Sequence, residues 1–184
     1  MAIQSPPHHA LREQMESNLT AGDFLAHPRA HVLMSEPWLW DTTDEDAPFG
    51  SDEGNDCFQD FREWRAANPD EPVLSYLTPI IGTRGDWGDL YTADLVSVTA
   101  IGRQVELIAS GDIDPIEEIW RRDLSLIVVA LTQLVLEGRL DAPVKRYAQW
   151  ALQRQRHPEI LRMAPAPEKS ARYLQKISEI IESL

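Results

Sequence analysis

The sequence predicts an all-α protein: one compact bundle of six to eight helices around a buried apolar helix near 115–137. Three observations lead there. Apolar residues recur at spacings of three and four along most of the chain. Serine, aspartate, proline and glycine fall where helices start and stop. The run from Leu124 to Leu136 is apolar except for Ser125, Thr132 and Gln133. Its 13 residues fall well short of the about 20 that cross a bilayer, so it reads as a core helix.

Each element has its own signal. Ser5-Pro6-Pro7 opens a helix that carries Leu11, Met15 and Leu19 toward Thr20. His27-Pro28 opens a short one toward Met34. Ser51 caps the next, with Asp52, Glu53 and Asp56 near its positive end and Cys57, Phe58, Phe61 and Trp64 as its inner stripe, until Asn68-Pro69 stops it. Asp70 is expected to cap a helix through Val73, Leu74, Tyr76 and Leu77 that Pro79 interrupts. Leu90, Leu95, Val98, Ile101, Val105 and Ile108 suit a helix over 86–109, with a strand near 96–101 as the alternative. Asp112 and Pro115 start the central helix and Gly138 ends it. Asp141 caps a helix that His157-Pro158 breaks. A Pro/Ala linker near 163–167 leads into a last helix with Tyr173, Ile177, Ile180, Ile181 and Leu184 on one stripe.

The 184 residues suit one domain, residues 1–184, with an ordinary 43% hydrophobic content. The net charge of −13 argues against nucleic acid and anionic membrane as partners, both of which need a basic face. A lone cysteine, Cys57, forms no internal disulfide, and the opening MAIQSPPHHALREQ has no secretory pattern. A cytoplasmic location is expected. Charge is uneven: residues 41–72 hold eleven acids against two arginines, whereas 115–184 hold eleven basic residues against nine acids.

The stretch from Ser35 to Trp64 concentrates the features of interest. Trp38, Trp40, Phe58, Phe61 and Trp64 are its expected core, and are more simply packing residues than a ligand cage. Asp41, Asp44, Glu45, Asp46, Asp52, Glu53 and Asp56 form an acidic set suited to docking a basic protein. Such carboxylates are also hard ligands for Ca²⁺ or Mg²⁺, but counted from Asp44 the calcium-loop glycine falls at Phe49. Asp23, His27 and His31 are spaced by four without a fourth ligand, and Pro28 weakens the helix they need. Cys57 lies on an apolar stripe, 49–54 misses the nucleophile elbow, and Gly82–Gly85 lacks the phosphate-loop lysine. No metal, cofactor or catalytic residue is assigned.

The segment from His27-Pro28 through Trp38–Asp41, the run Glu45–Gly54 with its APFGSDEG core, and Phe61-Arg62-x-Trp64-Arg65 together resemble the YfeS-like family of small uncharacterised bacterial proteins. Leu136–Asp141 is compatible with the same pattern. The resemblance implies a bacterial cytosolic protein and no catalytic residues. The expectation is therefore an acidic protein-binding module, by analogy an immunity protein that neutralises a basic toxin. The alternatives are a regulatory or scaffold protein without a toxin partner, and a metal-binding protein or enzyme using the acidic loop 41–56.

Overall fold

A computed structural model describes residues 26–82, 97–111 and 113–184. Among them are eight α-helices, one 3-10 turn and no strand. The helices are α1 (Pro28–Leu33), α2 (Asp52–Ala67), α3 (Val73–Gly82), α4 (Val98–Ser110), α5 (Ile113–Glu137), α6 (Ala142–Gln155), α7 (Pro158–Leu161) and α8 (Pro167–Glu182). The 3-10 turn, Pro37–Trp40, lies between α1 and α2. The helix expected over 5–20, the Asp112 cap and Asp23 lie outside the described residues.

Helix α5 is the axis of the bundle. Its 25 residues span about 37 Å. Every residue from Leu126 to Val135 is buried, because this half has no polar face to turn outward. Its two internal polar side chains are satisfied locally. Thr132 Oγ1 donates back to the Val128 carbonyl at 2.7 Å. Gln133 Oε1 accepts the Asp141 amide at 3.1 Å, and its Nε2 donates to Glu137 at 3.2 Å. Helices α2 and α6 flank α5 most extensively, α1, α3 and α4 add cover, and α8 closes over α6.

Helix α2 starts as expected. Ser51 Oγ accepts the Gly54 amide at 3.1 Å, and Asp52 and Glu53 occupy the first turn. Its buried face is Gly54, Cys57, Phe58 and Phe61. Phe61 lies 5.0 Å from the Tyr76 ring and 5.9 Å from that of Trp64, so α2 and α3 meet through an aromatic trio. Trp38, Trp40 and Trp64 are half-buried against the core, while Leu39, Phe49, Phe58 and Phe61 are its buried members in this stretch. The large indoles cover the core's edge and keep a polar tip within reach of acceptors: Trp38 Nε1 donates to Glu36 at 2.7 Å and Trp40 Nε1 to the Met34 carbonyl at 2.6 Å.

The fold departs from the sequence reading at three start and stop signals. Helix α3 begins at Val73, two residues past Pro72's predecessor Glu71, so Asp70 is not its cap. The same helix runs through Pro79 without a break. Pro79 and Ser75 are both exposed, so water can serve the carbonyl that proline leaves without a donor. Asp141 stands at the N-cap of α6 but makes no capping bond; Arg139 takes its carboxylate instead. Over 98–101 the backbone is helical, capped by Ser97, which removes the strand alternative there.

Glycine 54 sits at a close approach. A Cβ there would lie 2.3 Å from the Pro48 carbonyl oxygen, and one at Gly50 would lie 1.9 Å from that of Asp44. The loop 41–50 folds onto the start of α2 so tightly that neither position has room for a methyl group. In an ordinary helix interior Gly→Ala is stabilising by up to about 1 kcal/mol. Here Gly54→Ala should lower the melting temperature; an unchanged or raised value would show that the loop does not rest on α2.

Core truncations should rank by burial. Phe61 is fully buried, so Phe61→Ala should cost about 3–5 kcal/mol in urea unfolding. Trp64→Ala should cost less, since part of that ring already faces water. The reverse order would contradict this packing.

Candidate functional site

The acidic stretch is built on a plug. Ala47, Pro48 and Phe49 are buried, and Phe49 packs 4.9 Å from the Phe58 ring. The plug fixes the loop's two halves, and the carboxylates on either side then divide into two sets.

The first set is structural. Asp41 Oδ1 accepts the Thr43 hydroxyl at 2.7 Å, the Thr43 amide at 2.8 Å and the Asp44 amide at 3.3 Å, which ties the turn 41–44 to itself. The Thr43 hydroxyl above all holds the Asp41 carboxyl below its usual range. Asp44 points toward α8: Lys169 Nζ donates to it at 2.7 Å and the Tyr173 hydroxyl at 3.0 Å. The Lys169 hydrogen bond is the main reason that Asp44 is also depressed. Lys169 bridges to Asp46 as well, at 2.7 Å, and its ammonium lies 5.3 Å above the Tyr173 ring. Trp38 stacks on the other partner of this latch, Tyr173, with centroids 3.7 Å apart and planes 5° from parallel. Lys176 adds a contact to Glu36 at 3.2 Å.

The second set faces outward around a cleft of about 660 Å³. Glu45, Asp46, Asp52 and Glu53 stand on one rim, with the hydroxyls of Thr42, Thr43 and Ser51. Leu161, Ala164, Pro165, Ser170 and Leu174 also line it, and Trp120, Leu124 and Ile127 of α5 with Ile160 and Ile177 supply its large apolar side chains, the floor. Ala164 and Pro165, within the stretch 163–167 expected as a linker, are thus part of the cleft lining. Glu45, Asp46 and Asp52 are exposed, and Glu53 meets Arg121 at 3.5 Å. Asp56 is exposed on α2 but does not line the cleft. Of the seven acids, Asp41 and Asp44 therefore serve the loop, Asp46 serves both the latch and the rim, and Glu45, Asp52 and Glu53 serve the rim.

The sequence reading missed Trp120, which is 43% exposed on the floor. Its only sequence signal was an aromatic residue in the more charged half of the central helix. It also missed the charged pair beneath the cleft. Asp123 and Arg154 approach at 3.3 Å with both side chains withdrawn from solvent, and Gln155, which lines the cleft, donates to Asp123 at 2.5 Å.

Other sequence candidates have structural roles. His27 Nδ1 accepts the Arg29 amide at 3.1 Å as the N-cap of α1, and His31 stacks on Trp40. Burial pushes the Cys57 thiol up to about 12, and its Sγ faces the Ser125 carbonyl. Such a thiol is protonated and unreactive at neutral pH. Among the described residues no group of three or more His, Cys, Asp or Glu side chains is placed to hold a metal ion. Nor is any helix among them long and apolar enough to cross a membrane. No known protein family, curated protein or solved structure matches the chain.

The latch has a defined pH signature. Because the folded-state Asp44 carboxyl is depressed, its contribution is present above about pH 4, the unfolded value, and disappears as pH falls through the folded value. Lys169 is shifted upward, chiefly by Asp44, so its contribution holds throughout the neutral range and fades only in strong alkali. Asp44→Asn should lower the melting temperature at pH 7, and the gap to the parent should narrow as pH falls below about 4 and close once the folded-state carboxyl is protonated. A gap of constant size across that range would exclude the Asp44 charge as its source.

Proposed function

We propose that this protein is an acidic binding module that captures a basic partner protein at the cleft rim. The carrying observation is the outward set: Glu45, Asp46, Asp52 and Glu53, all from one segment of chain, line a cleft that also exposes apolar side chains of α5. Rim carboxylates of one sign speed encounter with an oppositely charged surface, while a desolvated floor slows departure. A basic toxin such as a nuclease is a partner of this kind, and the protein would then act as an immunity protein that occludes the toxin's basic face. Membership of the YfeS-like family belongs to the same proposal. In its support, the resembling segments meet in space: Arg29 donates to the Gly138 carbonyl at 3.1 Å and Arg65 to Glu137 at 2.7 Å.

The test is association kinetics with the partner recovered from native lysate. The triple variant Glu45→Lys, Asp52→Asn, Glu53→Gln leaves the Asp44–Lys169 latch intact. It should associate roughly tenfold or more slowly at low salt. The difference should shrink as the Debye length falls from about 10 Å at 0.1 M to about 3 Å at 1 M salt. Equal rates at low salt would remove the rim as the docking surface.

A further inference from the structure

We infer that the cleft takes one face of a basic amphipathic helix from the partner, with a lysine or arginine of that helix laid between Trp120 and the rim carboxylates. This rests on the binding-module reading above and specifies the form of the docking segment.

Three features lead to a helix. The cleft lining comes from helices and turns, and no strand occurs among the described residues, so none of them offers a sheet edge for an extended peptide to join. The helical walls already spend their backbone hydrogen bonds internally, so recognition falls to side chains. The floor then offers Leu124, Ile127, Ile160 and Ile177 to apolar residues, and every carboxylate that lines the cleft comes from the one segment 45–53. A segment that is apolar along one stripe and basic beside it matches both at once, as in helix-in-groove recognition.

The choice of cation follows from the chain's own chemistry. Lys169 already occupies a neighbouring nook in which two carboxylates, Asp44 and Asp46, and one aromatic face, Tyr173, surround an ammonium. Trp120 with Asp52 and Glu53 sets the same kinds of group around the cleft. There the indole is 43% exposed, an unusual position for a tryptophan on the most buried helix of the fold. Tryptophan is the strongest cation–π partner and is enriched among residues that dominate binding energy.

The probe is a fluorescein-labelled peptide of leucines and lysines with leucines at i, i+3, i+4 and i+7. Its control has the same composition in scrambled order. Both are titrated by anisotropy against the full chain, Trp120→Ala, Trp120→Phe and the rim triple variant, each first shown to keep its helical circular dichroism. The patterned peptide should bind roughly tenfold or more tightly than the scrambled one. Trp120→Ala should erase that preference, and Trp120→Phe should restore part of it. If both peptides bind equally, and only the rim variant weakens them, the cleft does not select a helix and this inference falls while the acidic docking surface stands. If neither peptide binds, or the rim variant changes nothing, both readings fall. A preference that survives Trp120→Ala would likewise overturn the assignment of Trp120.

Discussion

The constraint on which the rest depends is that half of one helix has no face for water. From Leu126 to Val135 every residue of α5 is buried, so cover must arrive from all sides. Two long helices, α2 and α6, lie along it, and shorter pieces close the remaining gaps. The two polar residues within this stretch show how strictly this holds. Thr132 bonds within its own helix, and Gln133 caps the chain turn at Asp141. Gly138 then reverses the chain at φ +68°, where a Cβ would strike the His27 ring at 2.1 Å, so the helix end is itself a packing site for α1.

This arrangement explains why the acids divide as they do. The buried Ala47-Pro48-Phe49 plug sets the loop against α2, and the half before it then faces α8. Asp44 consequently finds a partner 125 residues away in Lys169, a contact held in place by the Trp38–Tyr173 stack. Acids beyond the plug, Asp52 and Glu53, belong to the first turn of α2, where the helix dipole favours them while they face the cleft. One local stretch thus supplies both a strap and a charged rim. The apolar floor is shared by α5 with Ile160 of α7 and Ile177 of α8.

The architecture was legible because it depends on local signals. Ser51, Gly138, Pro158 and the Tyr173–Ile181 stripe each mark an end or a face through nearest-neighbour chemistry. The failures are equally physical. Asp141 has a cap residue's identity and position, but a neighbouring arginine competes for its carboxylate. Pro79 breaks no helix because its exposed position lets water replace a lost donor. The cleft was only half legible. Its acids were visible as composition, but nothing local distinguishes Asp44, which turns inward, from Glu45, which does not. Their difference is set by Lys169 and Tyr173, which sequence distance hides. Trp120 and the Asp123–Arg154 pair are hidden for the same reason, since their significance comes from what packs beside them.

Native-state hydrogen exchange tests the central claim most directly, because it reads how each segment depends on the whole. If the buried half of α5 organises the bundle, amides from Leu126 to Val135 should exchange only through global unfolding, with free energies matching that from denaturant titration. Helix α8 and the loop 41–50, held by a half-buried latch at the edge of the bundle, should open at lower cost. Exchange in the 126–135 amides that is faster than in α8 would contradict the account, because the helix said to be covered from every side would then be the one that opens first.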